Sequence, residues 1–356
     1  MTPTRSSPRW TGVRSAVRRW RAAPVFLAVV LLLAGDGWST SGSAGRQAPQ
    51  SARAYLAAAL DVMEARSVRR NQVDWPRLRR TAFARAEGAR TASDTYAVIT
   101  EALAELGDHH STFLTGTEAA ISRQRTEDTF TGLTGRRLPG AVGYLALPAV
   151  GGADETLDRY VRQGRAAVGE AEREGGACGW MLDLRQNTGG NVWPMFAVAA
   201  PLLGEGKVGA FVTADGAATP WSVENRRPRL NGEESPWGPA DPLGTPDPPV
   251  AVLTDGGTAS AAEALLIAFK GRPDTRTFGT STYGVPTGND GFPLSDGAVI
   301  NLTTELDADR TGRTYDGAIP PDEEVPASRA DIGTDRDEVV KAAARWLAGQ
   351  GTCRRP

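Results

Sequence analysis

A serine held by glycines between a strand and a helix is the feature with the clearest chemistry in it. Val250-Ala251-Val252-Leu253-Thr254 has the composition of a buried strand, Asp255-Gly256-Gly257-Thr258-Ala259 that of a turn, and Ala261 to Lys270 that of a helix. Ser260 opens this helix. Backbone N–H groups at a helix start lack intrahelical partners and carry the positive end of the dipole, which favours the negative charge that develops during acyl transfer. Ser260 with Glu263 three positions on also fits a capping box, a purely structural use. The motif alone leaves both uses open.

A serine hydroxyl attacks a carbonyl only when a neighbouring base removes its proton. Bases are scarce here: the lysines are Lys207, Lys270 and Lys341, and the histidines are His109 and His110. Lys270 lies on the same helix about 15 Å along by helical rise, out of reach of Ser260. The histidines sit together in Leu106-Gly107-Asp108-His109-His110-Ser111-Thr112. Adjacent side chains diverge and no carboxylate cluster completes a zinc set, so a base is expected rather than a metal site. A second glycine turn, Asp183-Leu184-Arg185-Gln186-Asn187-Thr188-Gly189-Gly190-Asn191, follows the strand Trp180 to Leu184. Glycines there let a backbone N–H approach an oxyanion. The turn lacks the lysine and hydroxyl residue of a phosphate-binding loop and the spacing of a dinucleotide fingerprint, so no cofactor is expected.

The elements that must carry these turns follow from periodicity. From Ala52 to Leu106 apolar residues recur at helical spacing, which predicts a helical domain over 50–115, with Arg77 to Arg90 as a solvated face. Beyond Leu114 short apolar runs alternate with helical stretches. Strands are expected at Val142–Leu147, Trp180–Leu184, Val208–Thr213, Val250–Thr254, Thr277–Gly279 and Val299–Thr303, and helices at Thr156–Glu174, Val192–Leu203 and Ala259–Lys270. This alternation predicts an α/β core over 140–350 with a mainly parallel sheet. The stretch 214–249, rich in Pro and Gly and holding Trp221 and Trp237, reads as an excursion capping the site.

The chain of 356 residues is 40% hydrophobic and 23% charged with a net charge of −2, the profile of a folded globular protein. Interspersed acids and bases give no reason to expect nucleic acid. Arg5 to Arg21, the apolar run Ala22 to Ala34 and the small polar residues that follow predict an export signal over 1–45, with an uncleaved membrane anchor as the alternative. A secreted or extracytoplasmic location is expected. Cys178 and Cys353 permit one disulfide, although Cys178 at the edge of an apolar run reads as a buried thiol.

Four blocks in this order resemble the C-terminal processing (tail-specific) proteases and their tricorn-core relatives: Leu106-Gly107-Asp108-His109-His110-Ser111, Asp183 to Gly190, Thr258-Ala259-Ser260-Ala261-Ala262-Glu263, and Phe278-Gly279-Thr280-Ser281-Thr282-Tyr283-Gly284. The resemblance implies a layered α/β core of the crotonase/ClpP type behind a small N-terminal helical domain. It implies a serine peptidase acting on polypeptides or peptides, with Ser260 as nucleophile. One branch takes a lysine base directly after the aromatic-glycine pair, but Val285 follows Tyr283-Gly284 here. The branch that includes the tricorn core and the interphotoreceptor retinoid-binding protein takes its base from a Gly-Asp-x-His-Ser/Thr motif, which falls on His110. His109 is then a second polar group beside the base.

The resemblance further implies Asp316 as the carboxylate orienting the histidine, from Tyr315-Asp316-Gly317 ahead of Pro321-Asp322. It implies the N–H groups of Ala261 and of a glycine in the second turn, Gly189 with Gly190 beside it, as oxyanion donors. About 25 residues separate Phe113 from Val142, too few for the PDZ domain many relatives carry, so none is expected. Two other functions fit the same resemblance: a noncatalytic carrier of apolar ligands, and a serine esterase.

Overall fold

The computed structural model describes residues 51–124, 132–173 and 175–354. The export segment expected at 1–45 lies outside them. Among the described residues no helix is long and apolar enough to cross a membrane.

The helical domain is α1 (Ala52–Arg66), α2 (Trp75–Arg85) and α3 (Tyr96–Ala104). Ser51 caps α1 by accepting the Ala54 N–H at 3.2 Å, and Asp74 caps α2 by accepting the Arg77 N–H at 3.0 Å. Pro76 stands in the first turn of α2, where its missing N–H has no intrahelical partner to lose. Leu56, Leu60, Leu78, Ile99 and Leu103 bury against one another and against Ile300 and Leu302 of the core. Tyr55 and Tyr96 both donate to Asp296, at 2.7 and 2.5 Å, which fixes the domain to the core with charge-assisted bonds.

The core then runs β1 (Thr112–Leu114), α4 (Gly116–Gln124), β2 (Thr134–Leu138), β3 (Val142–Ala146), α5 (Asp154–Glu172), β4 (Gly179–Asp183) and α6 (Val192–Leu203). It continues with β5 (Gly206–Thr213), β6 (Ala218–Glu224), β7 (Arg227–Leu230), β8 (Glu233–Glu234), β9 (Val250–Thr254) and α7 (Ala261–Phe269). It closes with β10 (Thr275–Gly279), β11 (Thr287–Pro293), β12 (Val299–Asp309), β13 (Glu323–Glu324) and α8 (Glu338–Ala348).

Two sheets result. One has the order β13-β10-β9-β4-β3-β2, parallel except for the edge strand β2. The other has the order β1-β12-β5-β6-β7-β8 with β11 also on β12, and it is antiparallel throughout. The expectation of a mainly parallel sheet therefore holds for the first alone. Consecutive strands joined by short turns can pair only antiparallel, and between β6 and β7 the chain reverses through Asn225 and Arg226, both left-handed at φ 53° and 57°.

The layers are α8, the parallel sheet, α5 to α7, the antiparallel sheet, and the helical domain. Residues of α6 and α7 join Trp180, Leu182 and Val252 on one side to Val208, Phe211 and Trp221 on the other in one apolar cluster. Edge-to-face contacts link Phe196 to Trp221 (5.6 Å between centroids) and Phe211 to Trp221 (4.6 Å). On the far face α8 covers Met181, Leu253 and Phe278. Arg185 holds α8 there: fully buried, it donates to Asp183 and to both oxygens of Asp337, the α8 cap, at 2.6 to 2.9 Å.

The segment 214–249 extends the antiparallel sheet as β6 to β8 instead of capping the site. Its return leg packs on α5, with the Trp237 indole N–H on Asp158 at 2.7 Å and the Gly244 N–H on Glu172 at 2.6 Å. Burial of Trp221 in the core fixes that course. Cys178 is not a free thiol: it is joined to Cys353, 175 positions away, tying the segment after α8 to the start of β4.

Candidate functional site

The two glycine turns leave adjacent parallel strands, β4 and β9, at their carboxyl ends, where open α/β sheets build ligand sites. Ser260 is 4% exposed, with φ 52° and ψ −117°. An ordinary helix cap sits in the extended region. A non-glycine residue held left-handed is uncommon and strained, and this geometry turns the serine sharply out of the strand-to-helix bend.

The bend is held from below by Glu263. Its fully buried carboxylate accepts the N–H groups of Ser260 (2.8 Å), Gly284 (2.9 Å) and Val285 (2.9 Å) and the Thr282 hydroxyl (2.5 Å). Four donors suit an ionised carboxylate, which only accepts. Burial nevertheless pushes the Glu263 carboxyl up from its ordinary value, against these bonds, which pull it down. Nearby Asp307 is buried with neither oxygen bonded among the described residues, and desolvation, followed by the charges of Glu263 and Glu305, holds its carboxyl well above the usual range. An uncompensated buried acid takes its neutral form.

Gly189 lies against the Ser260 turn. A Cβ added there would come within 2.8 Å of the Ala259 carbonyl oxygen, 2.9 Å of Ser260 Cβ and 3.1 Å of Ala261 N, so only glycine allows the approach. The Gly189 N–H itself donates to Asn187 Oδ1 at 2.9 Å and is not free to serve an oxyanion, contrary to the sequence expectation. The next N–H, of Gly190, has no partner among the described residues, and neither has that of Ala261 at the start of α7. Asn187 is the knot of this turn. It also donates to the Leu147 carbonyl at 2.8 Å and accepts the Ala259 N–H on its own carbonyl at 2.9 Å.

His110 is 4% exposed, while His109 is exposed and left-handed at φ 57°. Asp108 shapes the bend between them by accepting the N–H groups of His110 (2.9 Å) and Ser111 (2.7 Å) and the Ser111 hydroxyl (2.7 Å). The ring meets Thr287 Oγ1 through Nδ1 at 2.5 Å, and Nε2 is buried with no bond among the described residues. Burial lowers the His110 pKa from 6.5 to about 4, against the smaller opposing pull of Asp108.

Asp316 does not orient this ring. It is exposed and both its oxygens are held by Arg69 of the helical domain, at 2.7 and 2.5 Å. The group on Nδ1 is a threonine hydroxyl that the sequence reading missed. Thr287 lies two residues beyond Val285, whose N–H shares Glu263 Oε2 with the Ser260 N–H, so one carboxylate relates the serine bend to the histidine's support. Ser260 and His110 make no direct hydrogen bond, as is common when no substrate tightens such a pair. Lys270 is committed at the far end of α7 to Thr277 and Asp322, and Val285 is buried.

This arrangement offers a strained serine at a helix start, two unpaired backbone N–H groups and a neutral imidazole. Together these are the parts of a serine acyl-transfer site. The chain is 25% identical over 267 residues to the nisin-resistance protein of Lactococcus lactis subsp. lactis, covering 75% of this chain and 81% of that one. It is 31% identical over 180 residues to the carboxyl-terminal-processing protease of a Synechocystis strain, covering 49% of this chain and 38% of that one. A lipoprotein structure from Streptococcus agalactiae has the same fold, with a TM-score of 0.64 and 22% identity over 85% of this chain and 97% of that one. The family model for peptidase family S41 matches residues 141–325, from β3 to just past β13. The chain belongs to peptidase family S41, a family of serine peptidases.

Proposed function

We propose that Ser260 is the nucleophile and His110 the base of a peptidase that cuts peptide bonds through an acyl-enzyme. The observation that carries this reading is the left-handed backbone of Ser260 at the start of α7, a strained conformation a simple cap does not need. His110 Nε2 takes the Ser260 proton as the hydroxyl attacks the carbonyl and returns it to the leaving amine. Thr287 Oγ1 fixes the ring when it accepts from Nδ1–H, the tautomer that leaves Nε2 bare as an acceptor. The N–H groups of Ala261 and Gly190 receive the oxyanion, and water then releases the acyl group. With a valine after Tyr283-Gly284, the base is a histidine, as in the tricorn-like branch.

The Cys178–Cys353 disulfide supports an extracytoplasmic location, because such bonds persist in oxidising compartments. Turnover of a peptide library tests the reading, and nisin belongs in the panel because one relative is a nisin-resistance protein. Ser260→Ala and His110→Ala are expected to abolish hydrolysis while His109→Ala keeps it. Full turnover by Ser260→Ala refutes the nucleophile; loss in His109→Ala with retention in His110→Ala moves the base to the other histidine.

A further inference from the structure

The two proposed oxyanion donors belong to different turns, Gly190 to the one after β4 and Ala261 to the one after β9. The ladder between those strands ends with the Leu184 N–H on the Leu253 carbonyl at 2.9 Å, so beyond that point the strands no longer set the spacing. We infer that Asp255 and Gln186 are positioning residues that lock the two turns in register and thereby align the oxyanion donors. The inference rests on the Ser260 reading above.

The Asp255 carboxylate works as a clamp. Its Oδ1 accepts the Gln186 N–H across the gap at 2.9 Å and the Gly257 N–H within its own turn at 2.9 Å. Its Oδ2 accepts the Gln186 side-chain amide at 2.6 Å. Gln186 reaches it by adopting φ 60°, a left-handed backbone that a glutamine takes only under local constraint. Its side chain crosses directly over Gly257, where an added Cβ would lie 2.8 Å from Nε2, so the glycine makes room for the crossing. From the clamp the order passes along the backbone. The Asp255 N–H donates to Thr258 Oγ1 at 3.0 Å, and that hydroxyl donates back to the Leu184 carbonyl of the first turn at 2.9 Å. One residue on, the Ala259 N–H meets the Asn187 carbonyl at 2.9 Å, beside the Gly189 approach to Ser260. Asp255 and Gln186 make no hydrogen bond to Ser260 or His110. They act through the backbone that carries Ala261 and Gly190.

A misplacement of about 1 Å at a catalytic group lowers the rate on the order of a hundredfold. Gln186→Ala and Gln186→Glu are therefore expected to lower kcat by about ten- to a hundredfold with KM within about threefold, because the loss falls on the transition state. In Gln186→Glu two carboxylates face each other, whereas Asp255→Asn keeps the clamp, because the Gln186 amide turns its Oε1 toward the introduced NH2. The double change Asp255→Asn with Gln186→Glu restores complementarity: the oxygen of the introduced amide takes the backbone N–H groups, and its NH2 donates to the introduced carboxylate. It is expected to recover kcat to within about threefold of the parent, a coupling that a double-mutant cycle reads directly.

Ser260→Ala is measured alongside. If it is inactive while Gln186→Ala and Gln186→Glu keep kcat within about twofold, or the folded double variant is no better than Gln186→Glu, the clamp is wrong and the catalytic reading stands. Turnover by Ser260→Ala overturns the catalytic reading, and the inference with it. Gln186→Ala removes one arm only and decides the matter if Gln186→Glu does not fold.

Discussion

The buried imidazole makes the pH profile diagnostic. His110 is shifted from 6.5 to about 4 by burial, so the base stays neutral well into the acid range. At pH 5 a base with the ordinary value would retain about 3% of the plateau kcat/KM, whereas one titrating near 4 retains about nine-tenths. The same burial acts on stability. The unfolded chain binds the proton at 6.5 and the folded chain only near 4, so the His110 contribution to stability rises with pH between these values and is lost as pH falls through them, while the raised carboxyls of Glu305 and Asp307 contribute in the opposite sense. The interval of about 2.5 pH units corresponds to about 3 kcal/mol. The assay is kcat/KM for an uncharged peptide from pH 3.5 to 8, with urea unfolding across the same range for the parent and for His110→Gln. An acid limb near pH 4, together with a parent-minus-variant stability difference that rises between pH 4 and 6.5, is expected. A limb at 6 to 7 refutes the buried-imidazole account.

Replacing Thr287 by Val removes the hydroxyl on His110 Nδ1 and is expected to lower kcat by about ten- to a hundredfold, with Ser at that position largely restoring it; equal rates in Val and parent count against the orienting role. Asp316→Ala breaks an exposed ion pair with Arg69, so thermal unfolding is expected to register at most about 1 kcal/mol and peptide hydrolysis less than a twofold change. Reduction of Cys178–Cys353 opens a loop of 175 positions and is expected to lower stability by up to about 5 kcal/mol in the chain-entropy picture. A melting temperature indifferent to reductant contradicts a structural role for that bond.

The strands and helices that carry the site were legible because their signals are local. Val250 to Thr254 is a continuous apolar run, and the glycines that follow leave Ser260 at a helix start whatever the rest of the chain does. The partner of His110 was not legible. Thr287 is 177 positions away and meets the ring because β11 pairs with β12 in one register, which no motif records. Asp316 looked suitable by type and position, yet Arg69 of the helical domain claims it. Gly189 and Gly190 differ for a similar reason: the Asn187 side chain folds back on the first N–H and leaves the second without a partner among the described residues. The cap expected at 214–249 came from its proline and glycine content, which describes hairpin turns equally well. Trp221 and Val223, both facing the core, hold that stretch in the sheet.

The central claim is that Ser260 is the nucleophile, and covalent labelling reads it without knowledge of the natural substrate. The protein treated with a peptidyl phosphonate and mapped by peptide mass spectrometry is expected to carry one adduct, on Ser260, formed at least a hundredfold more slowly, on the order of lost general-base assistance, in His110→Ala. An adduct on another residue, or undiminished labelling of Ser260→Ala, contradicts the account.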